Sequence, residues 1–168
     1  MSMLRLLAEG LLGPALTEAP PSSGELIELG AELAMAARRR LGRSLSIRQV
    51  DAGSCNGCEL EIQALGNAYY DLERFGLRFV ASPRHADVLL VTGPVTFNMQ
   101  EALERTYAAT PAPKWVVAAG ACAIGSGPFT GGYACVGAVS NVLPVDLRIP
   151  GCPPTPTLLL LGLVSLLA

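Results

Sequence analysis

The stretch Leu45-Ser-Ile-Arg-Gln-Val50-Asp-Ala-Gly-Ser-Cys55-Asn-Gly-Cys58-Glu-Leu-Glu-Ile62 reads as a strand, a glycine-bearing loop and the start of a helix. Leu45–Val50 is the strand, and the helix is expected over Cys58–Tyr70. Similar units follow along the chain. Leu77–Val80, Asp87–Thr92, Trp115–Ala119 and Val145–Ile149 are short apolar or β-branched runs of strand length. Gln100–Ala109 reads as a helix that Pro111 and Pro113 end. A last apolar helix is expected over about Thr155–Ala168, with Pro154 and Pro156 in its opening turn, where proline is tolerated. Alternation of this kind argues for an open, mainly parallel α/β sheet with helices on both faces.

Ahead of the first strand the texture is different. Residues 1–23 hold a short amphipathic stretch and then the breakers Pro14, Pro20, Pro21, Ser22 and Ser23. From about Gly24 to Leu41 the residues Leu26, Leu29, Leu33, Ala37 and Leu41 recur at helical period. Ser22 and Glu25 have capping-box spacing, and acids early with Arg38, Arg39 and Arg40 late complement the helix dipole. Two readings stand: a helix docked on its own domain, or an arm whose basic end meets acidic lipid head groups or a partner.

Composition narrows the function classes. The chain of 168 residues is 51% hydrophobic and 15% charged, against about 25% charged in an average soluble domain. Polar surface is therefore short, and much of the outside is expected to be covered by another protein or a membrane face. Net charge of −2 and 5% aromatics give nucleic acid no basic, stacking surface. Leu158–Ala168 is the longest apolar run at eleven residues, well short of the ~20 a membrane-spanning helix needs. Glu9 interrupts the leucine-rich start before it reaches the length of a secretion signal. By this reading the chain is expected in the cytoplasm, where thiols stay reduced and serve as ligands.

The cysteines are ordered by the strands. Cys55 and Cys58 follow the strand ending at Val50, Cys122 follows the one ending at Ala119, and Cys152 the one ending at Ile149. Ligands of open α/β sheets bind beyond the carboxyl ends of the strands, so three loops deliver four thiols to one edge. Glycines stand beside each thiol: Gly53 and Gly57, Gly120 and Gly125, and Gly151. Cys58 should open a helix, where the dipole favours thiolate. Structural zinc sites usually pair two local Cys-x-x-Cys knuckles, whereas here Cys122 and Cys152 stand alone, 64 and 94 residues beyond Cys58. That dispersal favours one 4Fe–4S cluster on Cys55, Cys58, Cys122 and Cys152. A four-thiolate zinc scaffold and a Cys55–Cys58 redox dithiol are the alternatives, the second leaving Cys122 and Cys152 without a role. Cys135, in the apolar run Tyr133–Val139, reads as a buried free cysteine.

With these residues in place the sequence resembles a known family. Asp51–Ile62, Ser82-Pro-Arg84-His85-Ala-Asp87, Val91-Thr-Gly-Pro94-Val, Gly120-Ala-Cys122-Ala, Pro144-Val-Asp146 and Ile149-Pro-Gly-Cys152-Pro-Pro154 are similar to blocks in small subunits of energy-converting, membrane-bound nickel–iron hydrogenases of the formate hydrogenlyase type. They span about residues 44 to 162. The superfamily includes the complex I 20 kDa subunit that carries the terminal 4Fe–4S cluster. That subunit places its first two cysteine ligands side by side, so the Cys-x-x-Cys here points to the hydrogenase branch. The resemblance implies a single proximal cluster exchanging electrons with the nickel–iron site of a large subunit, alongside a ferredoxin-like iron–sulfur subunit and membrane-arm subunits. It also implies an enzyme subunit that is not catalytic alone. A complex I-like quinone-reducing or nickel-free relative is the runner-up.

Three more residues carry expectations. Glu61, one turn beyond Cys58, is a candidate for proton or charge coupling at the partner interface, or for a plain interfacial ion pair. Arg84 is the candidate charge near the cluster or the mate of a large-subunit carboxylate. His85, the one histidine, reads as a structural residue of its loop. The resulting expectation is a flavodoxin-like α/β iron–sulfur domain over 44–168 with a helical arm over 1–43.

Overall fold

The computed structural model describes Leu12 and residues 23–168. Its long first helix, α1, spans Ser23–Leu41. Residues 1–22 apart from Leu12, Ser22 of the capping box among them, lie outside the described residues. The parallel sheet is made of β1 (Ser46–Asp51), β2 (Arg78–Phe79), β3 (Val88–Thr92), β5 (Trp115–Ala119) and β7 (Leu147–Ile149), in the order β2-β1-β3-β5-β7. Numbered among themselves these five strands run 2-1-3-4-5, the flavodoxin-like order, whose ligand crevice lies where the winding reverses, beyond β1 and β3. Ile47 pairs with Val88, and Asp51 with Thr92; Val88 pairs with Trp115, and Thr92 with Ala119.

Strand alternation splits the apolar residues between two layers. Ile47, Val88, Leu90, Val117, Ala119 and Ile149 face one core, with α1, α2 (Gly57–Ala64) and the last helix α5 (Pro156–Leu167). Val50, Leu89, Val91, Val116 and Ala118 face the other, with α3 (Phe97–Ala109) and the one-turn helix α4 (Ala121–Ile124). A strand such as β3, covered on both faces, is buried at every position, which is why its sequence is apolar up to the closing Thr92.

Helix α1 belongs to the first layer: Leu26, Leu33, Ala36 and Ala37 are buried in the same core as the sheet. One arginine of its basic end also touches the domain. The Arg40 guanidinium lies 5.3 Å from the centre of the Trp115 ring and donates to the Leu166 carbonyl at 3.1 Å. The apolar face of α1 is thus docked on its own domain, while Arg38, Arg39 and Arg40 stay exposed. Just beyond it, Arg43 pairs with buried Asp87 through both guanidinium nitrogens, and Asp87 also accepts the Ser46 amide at 2.9 Å. This carboxylate ties the starts of β1 and β3 to the end of the helix.

Three elements depart from the sequence expectation. Helix α2 ends at Ala64 instead of Tyr70, because Gly66 weakens it and the Asn67 side chain accepts the amides of Tyr69 and Tyr70 at 2.8 and 3.0 Å, turning the backbone aside. Helix α3 begins at Phe97, three residues early, directly after β4 (Val95–Thr96). That strand pairs antiparallel with β6 (Cys135–Gly137), a small second sheet beyond the edge of the first.

Candidate functional site

The carboxyl ends of β1, β5 and β7 open into the three loops that carry thiols. Cys55 ends the loop after β1 and Cys58 sits in the first turn of α2. Cys122 lies in α4, immediately after β5, and Cys152 in the turn between β7 and α5. All four line one cavity of about 70 Å³, completed by small residues that include Gly57, Gly93, Ala121 and Gly151. Among the described residues no group of three or more His, Cys, Asp or Glu side chains stands close enough to hold a single metal ion. The four thiols border a space instead.

Glycine is required where backbone presses on sulfur. Gly120 has φ +96 and ψ 155, a region essentially closed to other residues, and a Cβ there would lie 2.6 Å from Cys58 Sγ. A Cβ on Gly127 would overlap Cys122 Sγ and its backbone. The Gly120 amide donates to the Ile149 carbonyl at 2.9 Å and the Ala121 amide to the Gly151 carbonyl at 2.6 Å, which fastens the Cys122 loop to the Cys152 loop.

The electrostatics of Cys58 reverse the sequence expectation. The helix start was expected to favour thiolate. Instead burial pushes the Cys58 thiol up to about 11, with further upward pushes from Glu59 and then from Cys55, Cys122 and Cys152. Desolvation and four like-charged neighbours outweigh a two-turn helix whose dipole is weak. Such a site takes up negative charge readily only together with a cation, and four thiols around an apolar, glycine-walled cavity fit a polynuclear soft-metal group.

The remaining candidates are placed as follows. Glu61 is half-buried on α2, one turn beyond Cys58. Arg84 and His85 are exposed on the 3₁₀ turn Pro83–His85, which feeds the amino end of β3, whereas the thiols lie beyond the carboxyl ends. Cys135 is half-buried on β6 and stands apart from the four-thiol cavity. It lines a larger cleft of about 610 Å³ that also includes Cys55, Pro94 and exposed Phe129, so it is not the fully buried cysteine that its apolar neighbours suggested. The residue that sequence reasoning missed is Glu59. It is buried, its carboxylate accepts a hydrogen bond from Ser54 Oγ, and its Oε1 has no partner. A serine four residues before Cys58 and an acid directly after it were the available signals.

A 2-1-3-4-5 parallel sheet with four thiols at its carboxyl edge defines a flavodoxin-like domain with a strand-end thiol site. The chain belongs to the family described as NADH ubiquinone oxidoreductase, 20 Kd subunit, whose model matches residues 55–166. It is 48% identical over 124 residues to a probable membrane-bound hydrogenase subunit of Pyrococcus furiosus, covering 74% of each chain. To formate hydrogenlyase subunit 7 of Escherichia coli it is 41% identical over 152 residues, which cover 90% of this chain and 60% of that one. Among solved structures it is similar to a chain of the membrane-bound sulfane sulfur reductase, an archaeal respiratory membrane complex. The TM-score is 0.66 at 36% identity, over 81% of this chain and 74% of the other.

Proposed function

We propose that this chain is the electron-transfer subunit of a membrane-associated oxidoreductase and carries one 4Fe–4S cluster on Cys55, Cys58, Cys122 and Cys152. The observation that carries the reading is the convergence of four thiols from three strand-end loops on a single cavity. When bound, the cluster supplies a one-electron carrier. The chain's own residues do the rest: the four cysteines hold it as thiolates, Cys58 giving up a proton that the bare site retains at neutral pH. Gly120 and Gly127 let the backbone close against Cys58 and Cys122. Cys55 and Cys152 lie on the exposed side, which is where a partner has to approach for electrons to pass.

That partner is proposed to be a large subunit of the nickel–iron hydrogenase type, with a ferredoxin-like subunit and membrane-arm subunits completing the complex on the cytoplasmic face. Exposed Phe97, directly after β4, and exposed Phe129 and Tyr133, ahead of β6, supply apolar surface for it. No helix among the described residues is long and apolar enough to cross a membrane. The family match supports a second reading, a complex I-like quinone-reducing or nickel-free complex.

Anaerobic reconstitution with iron and sulfide tests the cluster. Expected are four irons per chain, absorption near 400 nm that bleaches with dithionite, and no hydrogen evolution by the chain alone. Stoichiometric zinc without that absorption replaces the reading with the scaffold. The two complexes are separated by the large subunit's sequence, since two Cys-x-x-Cys pairs there mean nickel.

A further inference from the structure

Glu59 is buried at a cost the fold does not offset in the usual way. The other deeply buried acid among the described residues, Asp87, has a guanidinium across both oxygens. Glu59, only 6% exposed, has one hydroxyl on Oε2 and nothing on Oε1. A carboxylate removed from water and left half-satisfied is retained at a penalty. The group it holds is Ser54, the residue before Cys55.

Ser54 is gripped from several directions. Its amide donates to Asp51 Oδ1 at 2.7 Å, its hydroxyl donates to Glu59, and the same hydroxyl oxygen accepts the Asn56 amide at 3.1 Å. The loop after β3 presses on it too, since a Cβ on Gly93 would overlap the Ser54 backbone. Both neighbours of Cys55 in the chain are thereby fixed. Asn56 is held in the left-handed region at φ 71. Cys55 itself is exposed.

We propose that Glu59 is a positioning residue: acting through the Ser54 hydroxyl, it fixes where the Cys55 thiol enters the four-thiol cavity. The inference rests on the cluster reading above. Asp51 closes the loop but is itself exposed, whereas Glu59 anchors the loop to α2, the helix that carries Cys58. One tie therefore sets Cys55 relative to Cys58.

The test uses the full chain with its reconstituted cluster, comparing Ser54→Ala, Glu59→Ala, Glu59→Gln and the Ser54→Ala/Glu59→Ala pair. The readouts are the rate of iron release to a chelator and the EPR spectrum of the reduced cluster. Each alanine variant is expected to release iron at least fivefold faster and to show altered g-values. The double variant should be no worse than the more affected single one, because both remove the same tie. Glu59→Gln keeps an oxygen for Ser54 and should return the release rate to within twofold of the unaltered chain. Wild-type rates and spectra in both alanine variants overturn the inference, as does a double variant whose effect is the product of the two. Unaltered chain that takes up no iron overturns the cluster reading instead. In that case amide exchange over residues 53–57 of the metal-free chain decides the tie, which requires at least fivefold faster exchange in Ser54→Ala and Glu59→Ala.

Discussion

Replacing Gly120 with alanine separates backbone strain from damage to the thiol site. The residue's φ of +96 and ψ of 155 lie where a side chain costs about 1–3 kcal/mol. The added methyl would also stand 2.6 Å from Cys58 Sγ, whereas non-bonded heavy atoms rest at about 3.5–4.0 Å. The sulfur has to retreat by about 1 Å, and metal–ligand distances tolerate only about 0.2 Å. The fold therefore loses about 1–3 kcal/mol while the four-thiolate geometry is lost outright. Urea denaturation of the metal-free chain reads the first quantity, and iron content with reduced-state EPR reads the second. Gly24→Ala is the control: nothing lies within 4 Å of a Cβ there, and alanine in place of glycine in a helix adds up to about 1 kcal/mol. A Gly120→Ala chain with four irons and the native EPR spectrum would refute the reasoning, because it would mean that Cys58 is free to move and Gly120 does not shape the site.

Cys122→Ser should abolish the native cluster, whereas Cys135→Ser, on β6 outside the four-thiol cavity, should leave iron content and EPR unchanged; the reverse pattern would reassign the ligand set. Cys58 titrates at about 11 in the fold against an ordinary 9.0. Its contribution is fully present below pH 9 and is lost as pH rises through 11, so the metal-free chain's urea midpoint should fall across that window and Cys58→Ser should flatten the fall. Asp87→Ala strips exposed Arg43 of its mate and the Ser46 amide of its acceptor, and should cost about 1–3 kcal/mol in urea denaturation with little change in the cluster's EPR.

Much of this architecture was legible because burial writes itself into strand sequence. Val88–Thr92 and Trp115–Ala119 are covered on both faces, so both appear as apolar runs broken only by Thr92, and Cys122 follows the end of the second by three residues. The stripe Leu26, Leu33, Ala37 likewise reports the buried face of α1. What escaped had no period to show. β4 and β6 are two and three residues long, too short for alternation, and they exist because a register pairing brings residue 95 to residue 137. Glu59 and Glu61 look alike in the sequence, one residue apart from Leu60. A helix two turns long offers no reliable stripe to say that Glu59 goes inside and Leu60 stays 57% exposed. The Cys58 thiol was misjudged for a related reason: the dipole is a local property readable from position, whereas desolvation depends on which distant loops close over the sulfur.

The two-layer core has a mechanical consequence. Helix α2, whose Ile62 is buried in the first layer, carries Cys58, and Cys152 hangs between Ile149 and α5 in that same layer. Cys122 alone rides on α4, whose Ala123 is packed into the second layer, on the far side of the sheet. Cys58 and Cys152 thus ride on one layer and Cys122 on the other, while the Cys55 loop is rooted in the second layer through Ala52. Any shear of the helices on one face relative to those on the other, whether from a void at Leu103 or from a partner leaning on α3, alters the gap between Cys122 and the Cys58–Cys152 pair. A disturbance too small to unfold either layer is in this way delivered directly to the one place where a fraction of an ångström matters.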